Sequence, residues 1–334
     1  MDFVLSSKID VNKSRCIRHN FSKTHCRYCE DICPVDAVRF GFPNRIEIAH
    51  DICIKCGLCY AACPFGSIDI SKDDEFILSN IEQAEKIEVG CIFSFAKNRV
   101  ACLSRLTDDL LFALLKDKSV VIKRGICKNC KFKSTLPYFY KNLKNTVSLL
   151  LSFGVEFRLT IKTYPDKSTF IPKESMDRRS LFNISRKFKH KKTKRELLLE
   201  KIKHEDIKHD RKFNDIAKLE ISNECNLCGI CEHICPMDAI LVEKNDLKGL
   251  IKFNPALCVG CRECEHACLP QAIKIYKGSA SLFKTKPYVA FEAAKVVCES
   301  CGKTFYTTSN EKICNICRHR EDEKNRLINF LKNI

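Results

Sequence analysis

The run CNLCGICEHICP, Cys225 to Pro236, places four thiols in eleven residues and closes them with a proline. A second run, CVGCRECEHACLP, Cys258 to Pro270, repeats the spacing, with its proline displaced by one position behind Leu269. CEHICPMDAILV aligns with CEHACLPQAIKI, so one unit is written twice: thiol loop, polar turn, alternating strand. The strict form recurs at Cys53, Cys56, Cys59 and Cys63-Pro64, and a looser one at Cys26, Cys29 and Cys33-Pro34. VDAVRF (35–40) and SIDI (67–70) then hold the place of the strand. The looser half carries Lys23 where a first cysteine belongs, and the nearest thiol is Cys16, ten residues before Cys26.

The chain has 334 residues, 45% of them hydrophobic, enough for two to four modules with their own cores. A disulfide scaffold would account for 24 cysteines in a short secreted chain. The opening MDFVLSSKIDVNKSRC, however, has no basic segment followed by an apolar core, and the Arg178-Arg179 pair lies mid-chain. No run approaches the roughly 18 apolar residues of a membrane span. The thiols are therefore expected in a reducing cytoplasm, holding metal. The formal charge of +17 points toward a polyanion partner. Four anionic clusters and a thiolate-bound zinc would lower it to about +7, which makes nucleic acid an unlikely partner.

The Cys-x2-Cys-x2-Cys-x3-Cys-Pro pattern resembles that of the bacterial-type two-cluster (4Fe–4S) ferredoxins, here present twice, as in a polyferredoxin. In that family the fourth cysteine of each run serves the other cluster. The resemblance implies one cluster on Cys225, Cys228, Cys231 and Cys268, and its neighbour on Cys258, Cys261, Cys264 and Cys235. In the N-terminal module it implies Cys16, Cys26, Cys29 and Cys63 for one cluster and Cys53, Cys56, Cys59 and Cys33 for the other. With the inserted loop IRHNFSKTH, the Cys16 site admits either four irons or a three-iron cluster with Cys16 free. Glu30, Glu232, Glu265, His233 and His266 stand beside the thiol loops. They read either as a solvated helix face or as groups that tune the cluster potentials.

Near the C-terminus, CESC and CNIC supply Cys298, Cys301, Cys314 and Cys317. Two such knuckles resemble a zinc ribbon. CESCGKTF is also similar to a rubredoxin knuckle, which would hold one iron, but CNICR lacks the proline and glycine of the second rubredoxin knuckle. Between the thiol-rich ends, residues 80–165 read as α/β. Ile87 to Val89 lead to Cys91, Arg99 to Ala101 lead to Cys102, and SVVIKRG leads to Cys127 and Cys130. A helix over TDDLLFALLKDK is capped by Thr107 and carries a stripe of Leu110, Leu111, Leu114 and Leu115. A second has Phe139, Leu143, Val147, Leu150 and Leu151 on one face and ends at Gly154, before the strand VEFRLTI. Cys91, Cys102, Cys127 and Cys130 fall at strand ends. They are either a fifth metal site at one sheet edge or two buried cysteines plus a fortuitous pair. VACLSRL with RGICKNC is weakly similar to iron–sulfur subunits that accompany hydrogenases and heterodisulfide reductases.

The expected architecture is α+β: a ferredoxin-type module (1–78), a small α/β domain with a parallel sheet (80–165), and a basic helical or flexible linker (166–220). A second ferredoxin-type module (221–280), a zinc ribbon (290–320) and a short helical tail (321–334) follow. Within residues 173–212 the linker carries 15 Lys and Arg against 7 Asp and Glu, and it reads as a solvated helix or a docking surface. No Gly-x-Gly-x-x-Gly turn, Walker loop or nucleophile–base set is evident. The expected function is single-electron relay within a larger oxidoreductase, of the kind formed by formate dehydrogenase or hydrogenase systems. The alternative is a cluster- and zinc-bearing nucleic-acid-binding or regulatory protein.

Overall fold

The computed structural model describes residues 9–21, 23–42, 45–69, 85–96, 98–164 and 193–332. They fall into two units, Met1–Ile216 with Lys277–Lys284, and Ala217–Tyr276 with Thr285–Ile334. The first unit starts with very short elements: β1 (Asp10–Val11), α1 (Ile17–Asn20), α2 (Tyr28–Asp31), β2 (Val38–Gly41), β3 (Arg45–Ile48), α3 (Leu58–Ala62) and β4 (Ile68–Asp69). β1 pairs antiparallel with β4, and β2 forms a hairpin with β3. Elements of two to five residues cannot build a broad apolar core. Much of what they bury is sulfur: Cys16, Cys29, Cys56, Cys59 and Cys63 are all buried, together with Leu58, Phe65 and Ile68.

The α/β part follows as β5 (Lys86–Cys91), β6 (Asn98–Val100), α4 (Asp108–Asp117), β7 (Ser119–Arg124), α5 (Leu136–Ser152), β8 (Arg158–Thr163) and α6 (Lys194–Ile202). Its sheet runs β6-β5-β7-β8, all parallel. Thr107 caps α4 as expected, its hydroxyl accepting from the Leu110 N–H at 3.1 Å. The burial of α4 is wider than the predicted stripe, because Phe112 and Ala113 are covered as well as the four leucines. A helix that is apolar all round needs cover on every side. Here α5 packs on it, and so does α6, from the segment expected to be a linker.

That expectation is corrected in its second half; residues 165–192 lie outside the described ones. α6 is closed by a reciprocal capping box between Thr193 and Glu196. Its Leu198 and Ile202 enter the same core as Phe112 and Phe153, joined by Phe213, Ile216, Ala280 and Phe283. The α/β domain is thus discontinuous in sequence, and α6 is a structural helix. On α5 the buried residues are Phe139, Thr146, Leu149, Leu150 and Ser152, while Leu151, placed on the apolar face by periodicity, is exposed.

The rest of the chain forms β9 (Lys212–Ile221), α7 (Ile230–Ile234), β10 (Ile240–Lys244), β11 (Lys248–Phe253), α8 (Glu263–His266), β12 (Ile273–Ser279), β13 (Tyr288–Val297), β14 (Thr304–Thr307) and α9 (Asn315–Lys332). β9 pairs with β12, and β10-β11-β13-β14 form an antiparallel sheet. β13 joins the hairpin of the second thiol module to the C-terminal knuckles, so residues 290–320 continue that module's sheet and do not stand apart. The tail helix begins at Asn315, ahead of the expected 321. Among the described residues no helix is long and apolar enough to cross a membrane.

Leu111, fully buried on α4, tests the discontinuous core. Leu111→Ala should destabilise the chain by about 2–5 kcal/mol, read from the shift in the urea unfolding curve. A loss below about 0.5 kcal/mol, the range of surface substitutions, would show that α4 is not covered as described.

Candidate metal centres

The fourth cysteine of each thiol run meets the same backbone device. Three residues after Cys33, Cys63, Cys235 and Cys268, the chain turns through a left-handed residue: Asp36 (φ 51°), Gly66 (64°), Asp238 (50°) and Gln271 (52°). The next residue then donates its N–H to the cysteine four positions back. Ala37 reaches Cys33 Sγ at 3.2 Å, Ser67 reaches Cys63 at 3.3 Å, Ala239 reaches Cys235 at 3.4 Å and Ala272 reaches Cys268 at 3.2 Å. Only one of the four turns uses glycine, although L-residues adopt this conformation infrequently. In the three strict loops, the second and fourth residues after the first cysteine are left-handed too: Lys55 and Gly57, Leu227 and Gly229, Gly260 and Arg262. The looser loop lacks this pattern.

Electrostatics sorts the thiols into sets. Burial first, then the neighbouring Cys63, Cys26 and Cys16, push the Cys29 thiol up to about 12. Cys59 is raised by burial and by Cys56, Cys29, Cys53 and Cys33. Cys225 is raised by burial and then, against the N–H of Leu227, by Cys268 and Cys228. Burial followed by Cys225 carries Cys231 to about 12. Cys264 is raised by burial and by Cys261, Cys258, Cys235 and Cys231. Cys63 thus stands near Cys29, Cys33 near Cys59, Cys268 near Cys225 and Cys235 near Cys264. Cys16 stands beside Cys63. Burial raises its thiol, while the N–H groups of His19 and Arg18 and the Arg18 charge act in the opposite sense.

Within each module the two sets adjoin, Cys29 being felt by Cys59 and Cys231 by Cys264. Cys235, Cys258, Cys261 and Cys264 line one cavity with Ile240 and Phe253. Amide N–H groups aimed at sulfur favour the thiolate, whereas burial among like groups disfavours it. Both demands are met by a bound cation, and an all-sulfur donor set suits iron–sulfur cages and zinc.

Cations also approach the first module. The Arg18 side chain, buried, lies 3.6 Å over the Phe40 ring and donates to the Cys26 carbonyl. Lys194, at the start of α6, donates to the carbonyls of Tyr60 (2.6 Å), Ala61 (3.1 Å) and Cys63 (2.9 Å) and stands 4.8 Å over the Tyr60 ring. It satisfies the open end of α3 from more than a hundred residues away. Nothing in the local sequence marks this role, and the basic stretch around it concealed it. The acidic residues beside the loops are engaged: Glu30 with Arg27 at 2.6 Å, Glu265 with Lys274 at 3.6 Å, and Glu232 accepting from the Val242 N–H at 3.1 Å.

At the C-terminus, Cys298, Cys301, Cys314 and Cys317 bring their sulfurs within 4.8 Å of one another, the only such set of metal-ligating side chains among the described residues. Cys301 and Cys314 are 3.9 Å apart, close to the edge of about 3.8 Å for a tetrahedron with metal–sulfur bonds of about 2.3 Å. The Cys314 N–H, 3.3 Å from Cys298 Sγ, is the first cause pulling that thiol down to about 6. Cys91, Cys102, Cys127 and Cys130 gather at the carboxyl edge of the parallel sheet. No disulfide joins any of the cysteines.

Residues 24–67 and 224–272 both match the family described as 4Fe-4S dicluster domain. The chain is 35% identical over 101 residues to an uncharacterized ferredoxin of Methanocaldococcus jannaschii, covering 29% of this chain and 54% of that protein. It is 37% identical over 51 residues to formate hydrogenlyase subunit 2 of Escherichia coli, covering 14% of this chain and 25% of the relative. It is 36% identical over 75 residues to NADH-quinone oxidoreductase subunit I of Pelobacter propionicus, covering 21% and 40%. The chain thus spans about half or less of the length of these relatives.

Replacing Lys194 by Met removes a cation that serves three carbonyls. The expected loss is about 1.5–3 kcal/mol, the range for a hydrogen bond to a charged group, measured by urea unfolding of the metal-loaded chain. Unchanged stability would show that α3 does not depend on α6.

Proposed function

Because the chain carries the 4Fe–4S dicluster domain of the two-cluster ferredoxins twice, we propose that it is a polyferredoxin that passes single electrons within a larger redox assembly. One observation carries the reading. Four times, a fourth cysteine is separated from its own loop, set among the thiols of the paired loop, and given an amide donor from the residue four positions on. On this reading Cys16, Cys26, Cys29 and Cys63 hold one cluster, and Cys53, Cys56, Cys59 and Cys33 the second. Cys225, Cys228, Cys231 and Cys268 hold the third, and Cys258, Cys261, Cys264 and Cys235 the fourth. Cys16 completes four ligands, so its site takes four irons.

Bound clusters supply one-electron oxidation and reduction. The residues of the chain do the rest. Short loops bury some of the sulfurs, Cys29, Cys59, Cys231 and Cys264 among them, and leave Cys228 exposed. Backbone N–H groups and the charges of Arg18 and Lys194 favour the more negative, reduced state at the first site, as hydrogen bonds and charge near the sulfurs do in general. Cys298, Cys301, Cys314 and Cys317 hold a structural zinc, which secures a hairpin and helix start too small to bury a core.

The relatives named for formate hydrogenlyase and NADH-quinone oxidoreductase support an oxidoreductase of that general kind as partner; the reading places their meeting in the cytoplasm, where thiols stay reduced. The basic segment gives less support to nucleic-acid binding than its charge suggests. Its Lys194, Arg195 and Lys201 are spent within the chain, on α3 carbonyls, the Asp215 carbonyl and Asp117.

Elemental analysis of anaerobically purified protein tests the assignment. Cys258→Ser combined with Cys261→Ser should remove about four irons of at least about sixteen, and Cys298→Ser with Cys314→Ser should remove about one zinc and no iron. Parental iron in the first variant would overturn the cluster assignment. Iron lost in place of zinc from the second would make the C-terminal site rubredoxin-like.

A further inference from the structure

The four thiols of the α/β domain have no part in the function proposed above. β5 is central in its sheet. The chain leaves it for β6 on one side and returns, through α4, to β7 on the other. The carboxyl ends of β6, β5 and β7 therefore flank a topological switch point, where parallel sheets collect ligands. Cys91 ends β5, Cys102 follows β6 by two residues, and Cys127 and Cys130 follow β7 in a turn. Three separate strand ends deliver four thiols to one edge.

The local geometry is built around those sulfurs. Gly125 donates its N–H to Cys91 Sγ at 3.3 Å. A Cβ at Gly125 would stand 2.9 Å from Phe93 Cβ and 3.1 Å from the Phe93 carbonyl, so the two loops meet this closely only because the residue is glycine. The Phe132 N–H donates to Cys130 Sγ at 3.4 Å, and Cys102 Sγ lies 3.2 Å from the Thr135 hydroxyl. Cysteines that merely fill a core do not need such donors. The thiols also sense one another, Cys102 and Cys127 each raising Cys91 and Cys130 behind the larger effect of burial.

Among the described residues, the C-terminal knuckles are the one set whose ligand atoms all lie within 4.8 Å of one another. A cluster spreads its thiolates over several irons and accepts a wider spacing. The place is also significant. Cys56 and Leu58 of the first module share an apolar cluster with Phe132, against which Ile54, Ile92, Cys102 and Cys130 pack. α3 packs on the turn Leu103–Arg105 that follows Cys102.

We propose that Cys91, Cys102, Cys127 and Cys130 hold a fifth iron–sulfur cluster, set beside the Cys33, Cys53, Cys56 and Cys59 site and reaching the surface at Cys127 and Cys130. Four thiolates leave no open coordination position, so the group stores and passes electrons and binds no substrate. The position beside a ferredoxin-type site rests on the polyferredoxin reading; the four-thiol site itself does not.

The test compares iron and acid-labile sulfide in the full chain, purified anaerobically, with those of a Cys91→Ser, Cys127→Ser variant. The variant should lose about two to four irons with an equal number of sulfides, according to whether the cluster has two or four irons, while the dicluster sites keep theirs. Unchanged iron and sulfide in the variant, or loss of zinc alone, would overturn the proposal. If the variant does not fold, the parent protein decides. In the loaded chain Cys127 and Cys130 should resist iodoacetamide until iron is stripped. Their alkylation at full iron content would overturn the proposal. A parent with about sixteen irons and an unaltered variant would sink the fifth cluster alone; a folded parent with almost none would sink the ferredoxin-type clusters with it.

Discussion

A thiolate taken out of water beside three others is among the least favourable arrangements a polypeptide can make without a cation to balance it. That constraint governs both thiol modules. In the first, strands and helices of two to five residues are too short to supply the burial that ordinarily holds a domain, and much of what they bury is sulfur. On the proposed assignment, folding and metal loading would be one process, because the ligand set exists only when loops distant in sequence have come together. A cysteine lent to the neighbouring set would then tie the two halves of a module to each other.

The backbone answers the charge of the sulfurs locally. A left-handed turn three residues after the fourth cysteine, followed by an amide aimed back at it, is kept in all four runs. It survives even where the proline has moved behind Leu269, since the Ala272 N–H still meets Cys268 at 3.2 Å. The device depends on backbone direction, and the proline only helps to set it. Leu269 is exposed, so a change of side chain there has little to disturb.

The thiol loops and the parallel sheet were legible in the sequence because both depend on spacing, of cysteines in one case and of apolar residues in the other. Three features were not. The stretch of α6 reads as a solvated helix, and its charges concealed the buried face, although LLFALL in α4 already demanded cover on more than one side. Lys194 acts on α3 across a separation that no local pattern reports. The left-handed residues Asp36, Asp238 and Gln271 went unseen because glycine, the usual sign, is absent at those positions. The crosswise sets are what the resemblance implies; the spacing of the cysteines alone does not give them. Leu151 shows the opposite failure. Helical periodicity puts it inward, but it is exposed, while Ser152, whose carbonyl accepts from the Lys208 and His209 N–H groups, is buried.

Anomalous diffraction at the iron absorption edge, from crystals grown without oxygen, tests the central claim most directly. The account predicts compact iron density inside each dicluster segment as an adjacent pair, every centre bound by three cysteines of one loop and the fourth of the other, with Cys16 completing the first. Centres bound by the four cysteines of a single loop, or ordered thiol loops with no iron between them, would contradict it.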